Sequence, residues 1–326
     1  MRRTILVCCF AIPILFGFSL AFGSYAISVG NVLQALMNPG GKNLDNIVIW
    51  QIRLPRTLIA LLAGAGLAVA SGVFQSIFRN RLADPAIIGI SSAAACGAVV
   101  ASSISIVSGS LAASALFALI STWLVAYILF HMERRSQISQ SLIILGVAIN
   151  ALLMGFVATF AQISSSPQAR SFTSWSMGSL ATGNWSDLLL IFTGSTIGIT
   201  LLAVYSRKLD LLYISDVEII AMGENPLRIK LIASLAAGVM IAFATSTLGV
   251  ISFLGLLVPN IVKSLGIYLH RSSIYLMALI GAVLLLLSDI LARTLIANLE
   301  LPVSLFLVLF GVPFLVHLIL RKQVGA

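Results

Sequence analysis

Apolar residues in this chain come in long unbroken runs, not in alternating stripes. Uncharged stretches predict helices near 5–27, 56–78, 85–104, 109–130, 138–163, 188–206, 229–248, 250–267, 273–295 and 302–320, ten in all. About 20 such residues cross a hydrocarbon core of roughly 30 Å as helix. The third and eighth runs are the weakest, being short or interrupted by Gly and Pro. The runs leave no room for a separate soluble domain, so the pattern predicts an all-α polytopic membrane protein, a single transmembrane domain over residues 1–326.

Small residues form a second pattern inside these runs. In "RLPRTLIALLAGAGLAVASGVFQSIFRNRLADP", Gly64, Ala68 and Gly72 recur every fourth position. Apolar side chains gain little by meeting one another in lipid, so spans associate by close backbone approach, and small residues at this spacing supply a smooth face. The face predicts tight helix packing and identifies no function.

Composition agrees: 60% of residues are hydrophobic, 9% are charged and the mean hydropathy is +1.10. The net charge of +9 has a topological explanation. With ten spans both termini share a side, and 14 of the 19 Lys and Arg fall on it, leaving Lys42, Arg53, Arg56, Arg170 and Arg293 on or near the other. Basic residues concentrate on the cytoplasmic side. The charge therefore places both termini in the cytoplasm and is no sign of nucleic-acid binding. The first run, with its basic start and small-residue "AFG", could be a signal peptide, but its apolar stretch is longer than the usual signal core, so a retained span is expected. Cys8, Cys9 and Cys96 lie in predicted spans and read as apolar packers, not as a disulfide or a metal site.

The chain has no GxxxxGK[ST] phosphate loop, no HExxH and no aspartate-rich cluster. An enzyme is not expected, nor a metal or cofactor bound by this chain; transport is. Secondary transporters usually carry ionisable residues near the bilayer midplane. Here the clear intraspan acid is Asp289, four residues before Arg293, a spacing that puts both on one helix face as a pair.

The largest polar insert on the side that holds the termini, Ser206 to Lys230, contains "SDVEIIAMGEN". Ser215 can cap a short helix, Asp216 and Glu218 suit its positive end, and Gly223 followed by Pro226 stops it. Val217, Ile219, Ile220 and Met222 are too many apolar residues for a free loop. An exposed amphipathic helix between spans is what a motor subunit would grip.

Several ordered motifs give the chain a resemblance over nearly its full length. They are "RLPR" at Arg53, "GVFQSIFRNRLADPAIIGISS" at Gly72, "WSMGSL" at Trp175, "AMGEN" at Ala221, "LGVISFLGLLVPNIVKSLG" at Leu248, "SDILAR" at Ser288 and "LPVSLFLVLFGVPFLVHLI" at Leu301. With them the chain resembles the FecCD family, permease subunits of type II ABC importers for ferric siderophores, haem and cobalamin. The resemblance implies a ten-span bundle like that of cobalamin-importer permeases, in the cytoplasmic (inner) membrane. It also implies cytoplasmic ATPase subunits that hold the ATP, a periplasmic or lipid-anchored substrate-binding protein, and a second permease subunit, the same or a related chain. The cargo in transit would be an iron-siderophore complex.

The resemblance further implies an ATPase-coupling helix at about 215–223, with Ser215, Asp216, Val217, Glu218, Ile219, Ile220, Met222, Gly223 and Glu224. Binding-protein docking would fall to Arg53, Arg56 and Arg293, and the pathway would be lined by Gly146, Asn150 and Met154 of the fifth span and Gly311 and Pro313 of the tenth. Three positions depart from the family pattern: Asn260 follows Pro259 where His is common, Lys263 stands where Arg is usual, and Ser215-Asp216 replaces a Gly-Glu start. Neither of the first two removes a polar donor, so the fold should survive them. The competing reading is a self-contained secondary transporter driven by an ion gradient.

Overall fold

The computed structural model describes residues 2–23, 25–104, 110–135, 139–163, 177–296 and 299–323. Its helices are α1 (Arg2–Ala21), α2 (Val29–Met37), α3 (Leu44–Ile47), α4 (Leu54–Ile77), α5 (Ile90–Ser103), α6 (Leu111–Arg135), α7 (Ser139–Ile163), α8 (Trp185–Val204), α9 (Ser206–Leu209), α10 (Asp216–Ala221), α11 (Pro226–Leu248), α12 (Leu254–Ser264), α13 (His270–Thr294) and α14 (Val303–Gln323). Ten of them match the ten predicted runs. Among the described residues, six helical stretches are long and apolar enough to cross a membrane, while the apolar parts of α5, α7, α12 and α14 are shorter. At 1.5 Å per residue the 11 residues of α12 reach only about half-way across, which is why its run was a weak span.

Helix α4 is the axis of the bundle, with α13, α11, α8 and α12 packed around it. Its small-residue face meets α13. A Cβ built on Gly64 would overlap the carbonyl of Gly281, one built on Gly281 would overlap the carbonyl of Gly64, and one on Gly72 would strike the sulfur of Met277. Two glycines facing each other let two backbones touch, the contact that replaces hydrophobic driving force in lipid. The tenth run's α14 lies against α12 and α13, and α5 is held between α6, α7 and α11.

Two features lay outside the sequence reading. The second span begins twelve residues before the predicted one, because α3, a π-helical turn over Val48–Arg53 and α4 form one rod from Leu44 to Ile77. The 22 residues between α1 and α3 also contain α2, capped by the Ser28 side chain on Asn31 N–H. Asn260 and Lys263 remain engaged as expected: Asn260 Nδ2 donates to the carbonyls of Leu256 (2.7 Å) and Arg81 (3.2 Å), and Lys263 Nζ donates to Gln75 Oε1 (2.8 Å).

Candidate functional site

Functional residues collect at the two ends of the bundle. At one end α4 stops at Arg79, whose φ of +48° is left-handed, a conformation that costs a non-glycine residue free energy and needs outside support. The support comes from its own side chain, which donates to the carbonyls of Leu212 (3.1 Å) and Ile214 and pairs with Asp216 (2.6 Å). Asp216 also pairs with Lys230 at 3.3 Å, so α10 is braced to the ends of both α4 and α11.

The same end is tied by His270, which is fully enclosed. Its Nδ1 lies 2.9 Å from Asp210 Oδ1 and its Nε2 lies 2.9 Å from Ser76 Oγ, joining α13, α4 and the 3₁₀ turn that leads to α10. Sequence reading missed His270, since a lone histidine at a span end carries no pattern.

Helix α10 forms where the sequence placed it, with the predicted cap and stop. Ser215 Oγ accepts from Glu218 N–H (3.2 Å) and Glu218 Oε2 accepts from Ser215 N–H (2.8 Å), a complete capping box. The bonds that the Ser215 N–H and hydroxyl donate to Oε2 hold the Glu218 carboxyl below its usual value. Gly223 at φ +80° ends the helix, and Lys208 pairs with Glu224 at 2.8 Å. Ile219 is buried, while Val217, Ile220 and Met222 are 76, 62 and 65% exposed. The helix therefore presents an uncovered apolar face on a rigid mount.

Asp84, in the loop between α4 and α5, is a second residue that sequence reading passed over. It is buried; Oδ1 accepts from Ala86 N–H at 2.8 Å, and Oδ2 has no hydrogen-bond partner among the described residues. Burial raises its carboxyl to about 6, with the Ala86 N–H bond only partly offsetting.

The opposite end corrects the docking expectation. Arg53, Arg56 and Arg293 are 3, 4 and 5% exposed, so none is a free surface cation. Arg53 Nη1 donates to the carbonyls of Leu20 (2.6 Å) and Ala21 (2.9 Å) and Nη2 to Tyr25, which satisfies the open carbonyls at the end of α1. Arg293 Nη2 donates to Ser19 O at 2.8 Å and to its hydroxyl. Arg56 binds Asp289 through Nη2 (2.8 Å) and Nε (2.9 Å), and Glu300 through Nη1 (2.9 Å). Asp289 pairs more closely with Arg56 than with Arg293, 3.4 Å away, the partner its spacing had suggested. Charge counting gives the side of the membrane a residue lies on, not whether its side chain faces in.

The pathway residues divide. Gly146 packs on Ile88, whose Cα would lie 2.9 Å from a Cβ there, and Gly311 packs on Phe253. Both glycines serve contacts within the chain. Asn150 and Met154 are half-buried and Pro313 is exposed. Arg170, and Trp175 and Ser176 of the "WSMGSL" motif, lie outside the described residues.

Comparison with known proteins decides what this architecture is. The FecCD transport family matches residues 11–321. The chain belongs to the FecCD transport family. Among the relatives of this FecCD chain, the hemin transport system permease protein HmuU of Yersinia pestis is 38% identical over 284 residues, 84% of each chain. A probable iron chelatin transport system permease protein of Helicobacter pylori is 31% identical over 312 residues, 93% of this chain and 94% of that one. A metal-chelate type ABC transporter, solved in an inward-facing conformation, superposes with a TM-score of 0.83 at 29% identity, covering 98% of this chain and all of that one. This FecCD chain is thus a transmembrane permease subunit of an ABC importer, and the self-contained secondary transporter is set aside.

Proposed function

We propose that this permease carries a ferric chelate, an iron-siderophore complex or haem, across the cytoplasmic membrane, with its termini and α10 on the cytoplasmic side. The observation that carries the mechanism is the apolar face of α10, Val217, Ile220 and Met222, uncovered and braced to the spans through Arg79, Asp216 and Lys230. A water-exposed apolar face on a short, fully capped helix has no stabilising role for its own chain and suits a groove on an ATPase subunit. Motion of that subunit would reach α4, α11 and α13 through the Asp216 ion pairs and the Asp210–His270–Ser76 bonds. The permease does no bond chemistry; ATP is hydrolysed by the partner.

At the other end a substrate-binding protein delivers cargo between two permease subunits, this chain and a second copy or a relative. Arg53, Arg56 and Arg293 shape that rim from within. Iron chelates are favoured because the relatives in Yersinia pestis and Helicobacter pylori carry hemin and iron chelatin in their names.

The experiment is ATP-dependent uptake of a panel of ferric siderophores, haem and cobalamin into vesicles holding the permease, its ATPase and its binding protein. Uptake of an iron chelate supports the reading. Uptake of cobalamin alone would transfer the proposal to another cargo, and uptake without the ATPase would overturn it.

A further inference from the structure

A groove of about 490 Å³ opens between the end of α8 and the start of α13, at the end of the bundle that carries α10. Its lining is Ala203, Val204, Ser206, Arg207 from one side and Arg271, Ser272, Tyr275 from the other. No carboxylate lines it. Neither Arg207 nor Arg271 makes an ion pair or hydrogen bond among the described residues, although Lys208 and Lys230 nearby are both paired with acids. The nearest acid in sequence, Asp210, is taken by His270, whose backbone N–H (2.6 Å) and ring both bond to it.

The lining of the groove changes along the membrane normal in the same way on both sides. Val204, at the end of the apolar helix α8, and Tyr275, one turn inside α13, are both largely exposed. Arg207 lies one turn beyond Val204, and Arg271 one turn before Tyr275 on the same helix face. The apolar residues and the tyrosine thus sit at membrane depth and the arginines just outside it, with Ser206 and Ser272 completing the lining. Arginine binds phosphate oxygens with paired donors, and basic pockets between spans at the cytoplasmic boundary suit anionic headgroups.

We infer that this groove is a binding site for a phosphate group, that of an anionic phospholipid, clamped between Arg207 and Arg271. Occupancy would tie α8 to α13 beside the turn that leads to the loop helix. The inference rests on the proposed cytoplasmic placement of this end and is independent of the cargo.

The test is native mass spectrometry of the permease released from nanodiscs of mixed phosphatidylglycerol and phosphatidylethanolamine. The wild-type chain should retain phosphatidylglycerol preferentially, and Arg207→Gln with Arg271→Gln should cut that retention about thirtyfold, the loss of two charges facing one headgroup. Arg228→Gln, an exposed arginine outside the groove, should leave retention unchanged. A parallel arm adds inorganic phosphate: displacement of the bound lipid, or phosphate binding without lipid preference, supports the phosphate site and assigns its source to the free ion. Equal retention by wild type and double variant, or no preference and no phosphate effect, overturns the inference. Both substitutions are at exposed side chains, so the variant should fold.

Discussion

The two ends of this permease use charge in opposite ways. Around Asp289, which is completely enclosed, arginines are locked in place by carboxylates and helix-terminal carbonyls. Around α10 the Arg79–Asp216 pair is half in water, both side chains about 40% exposed, while Lys230 reaches Asp216 from a buried position. A buried pair stabilises only while complete, since removing one partner strands the other in a low-dielectric interior. An exposed pair contributes little to stability but can position an element that must move. One end is a fastening, and the other is a handle.

The sharpest way to break this contrast is Asp289→Ala. It leaves Arg56 and Arg293 short of an anion and should cost about 3–5 kcal/mol, read as a large fall in melting temperature and loss of folded protein in the membrane. Replacing Arg56 and Asp289 together by Met and Leu should recover part of it, because no buried charge is then orphaned by that pair. Recovery absent, with Asp289→Ala harmless, would mean the cluster is not a fastening.

Next is Asp84. Its carboxyl, near 6 in the folded chain against an ordinary 3.8, binds its proton more tightly when folded. The stabilisation is therefore complete below about 3.8 and is lost as pH rises through about 6. Melting temperature should rise as pH falls from 7.5 to 5. Asp84→Asn should melt higher than wild type at pH 7.5, by up to about 3 kcal/mol, with the gap closing toward pH 4. A gap constant with pH would assign it to something other than this proton.

The smallest stability effect belongs to the handle. Asp216→Asn removes the half-exposed pair with Arg79 and the acid that faces the buried Lys230, and should cost about 1 kcal/mol, less than Asp289→Ala. Uptake should nevertheless fall severalfold, because α10 loses its brace to α4 and α11. Glu300→Gln, at the exposed rim of the fastening, should change stability by as little and leave uptake unaltered.

How much of this was legible in the sequence depends on which interactions are local. The spans are local: uncharged runs of sufficient length located ten helices, and the two weak runs became the short α5 and α12. The loop helix is local too, since Ser215, Glu218, Gly223 and Pro226 specify a start and a stop within a dozen residues. Gly64, Ala68 and Gly72 announced a packing face, but its partner Gly281 lies more than 200 residues away, beyond any spacing rule. The same distance hid the Arg56–Asp289 pair and made buried arginines look like a docking surface. Gly146 and Gly311 went the same way: a glycine in a span marks a close approach without saying whether the approaching group is a ligand, a second subunit or the chain itself.

The most direct measurement of the central claim is ATP-driven uptake by Ile220→Asp, made in parallel with its melting temperature. The account predicts an unchanged melting temperature, since this side chain faces water, and loss of uptake while the ATPase subunit alone keeps its activity. Full ATP-driven uptake with a charge in the middle of that apolar face would contradict it.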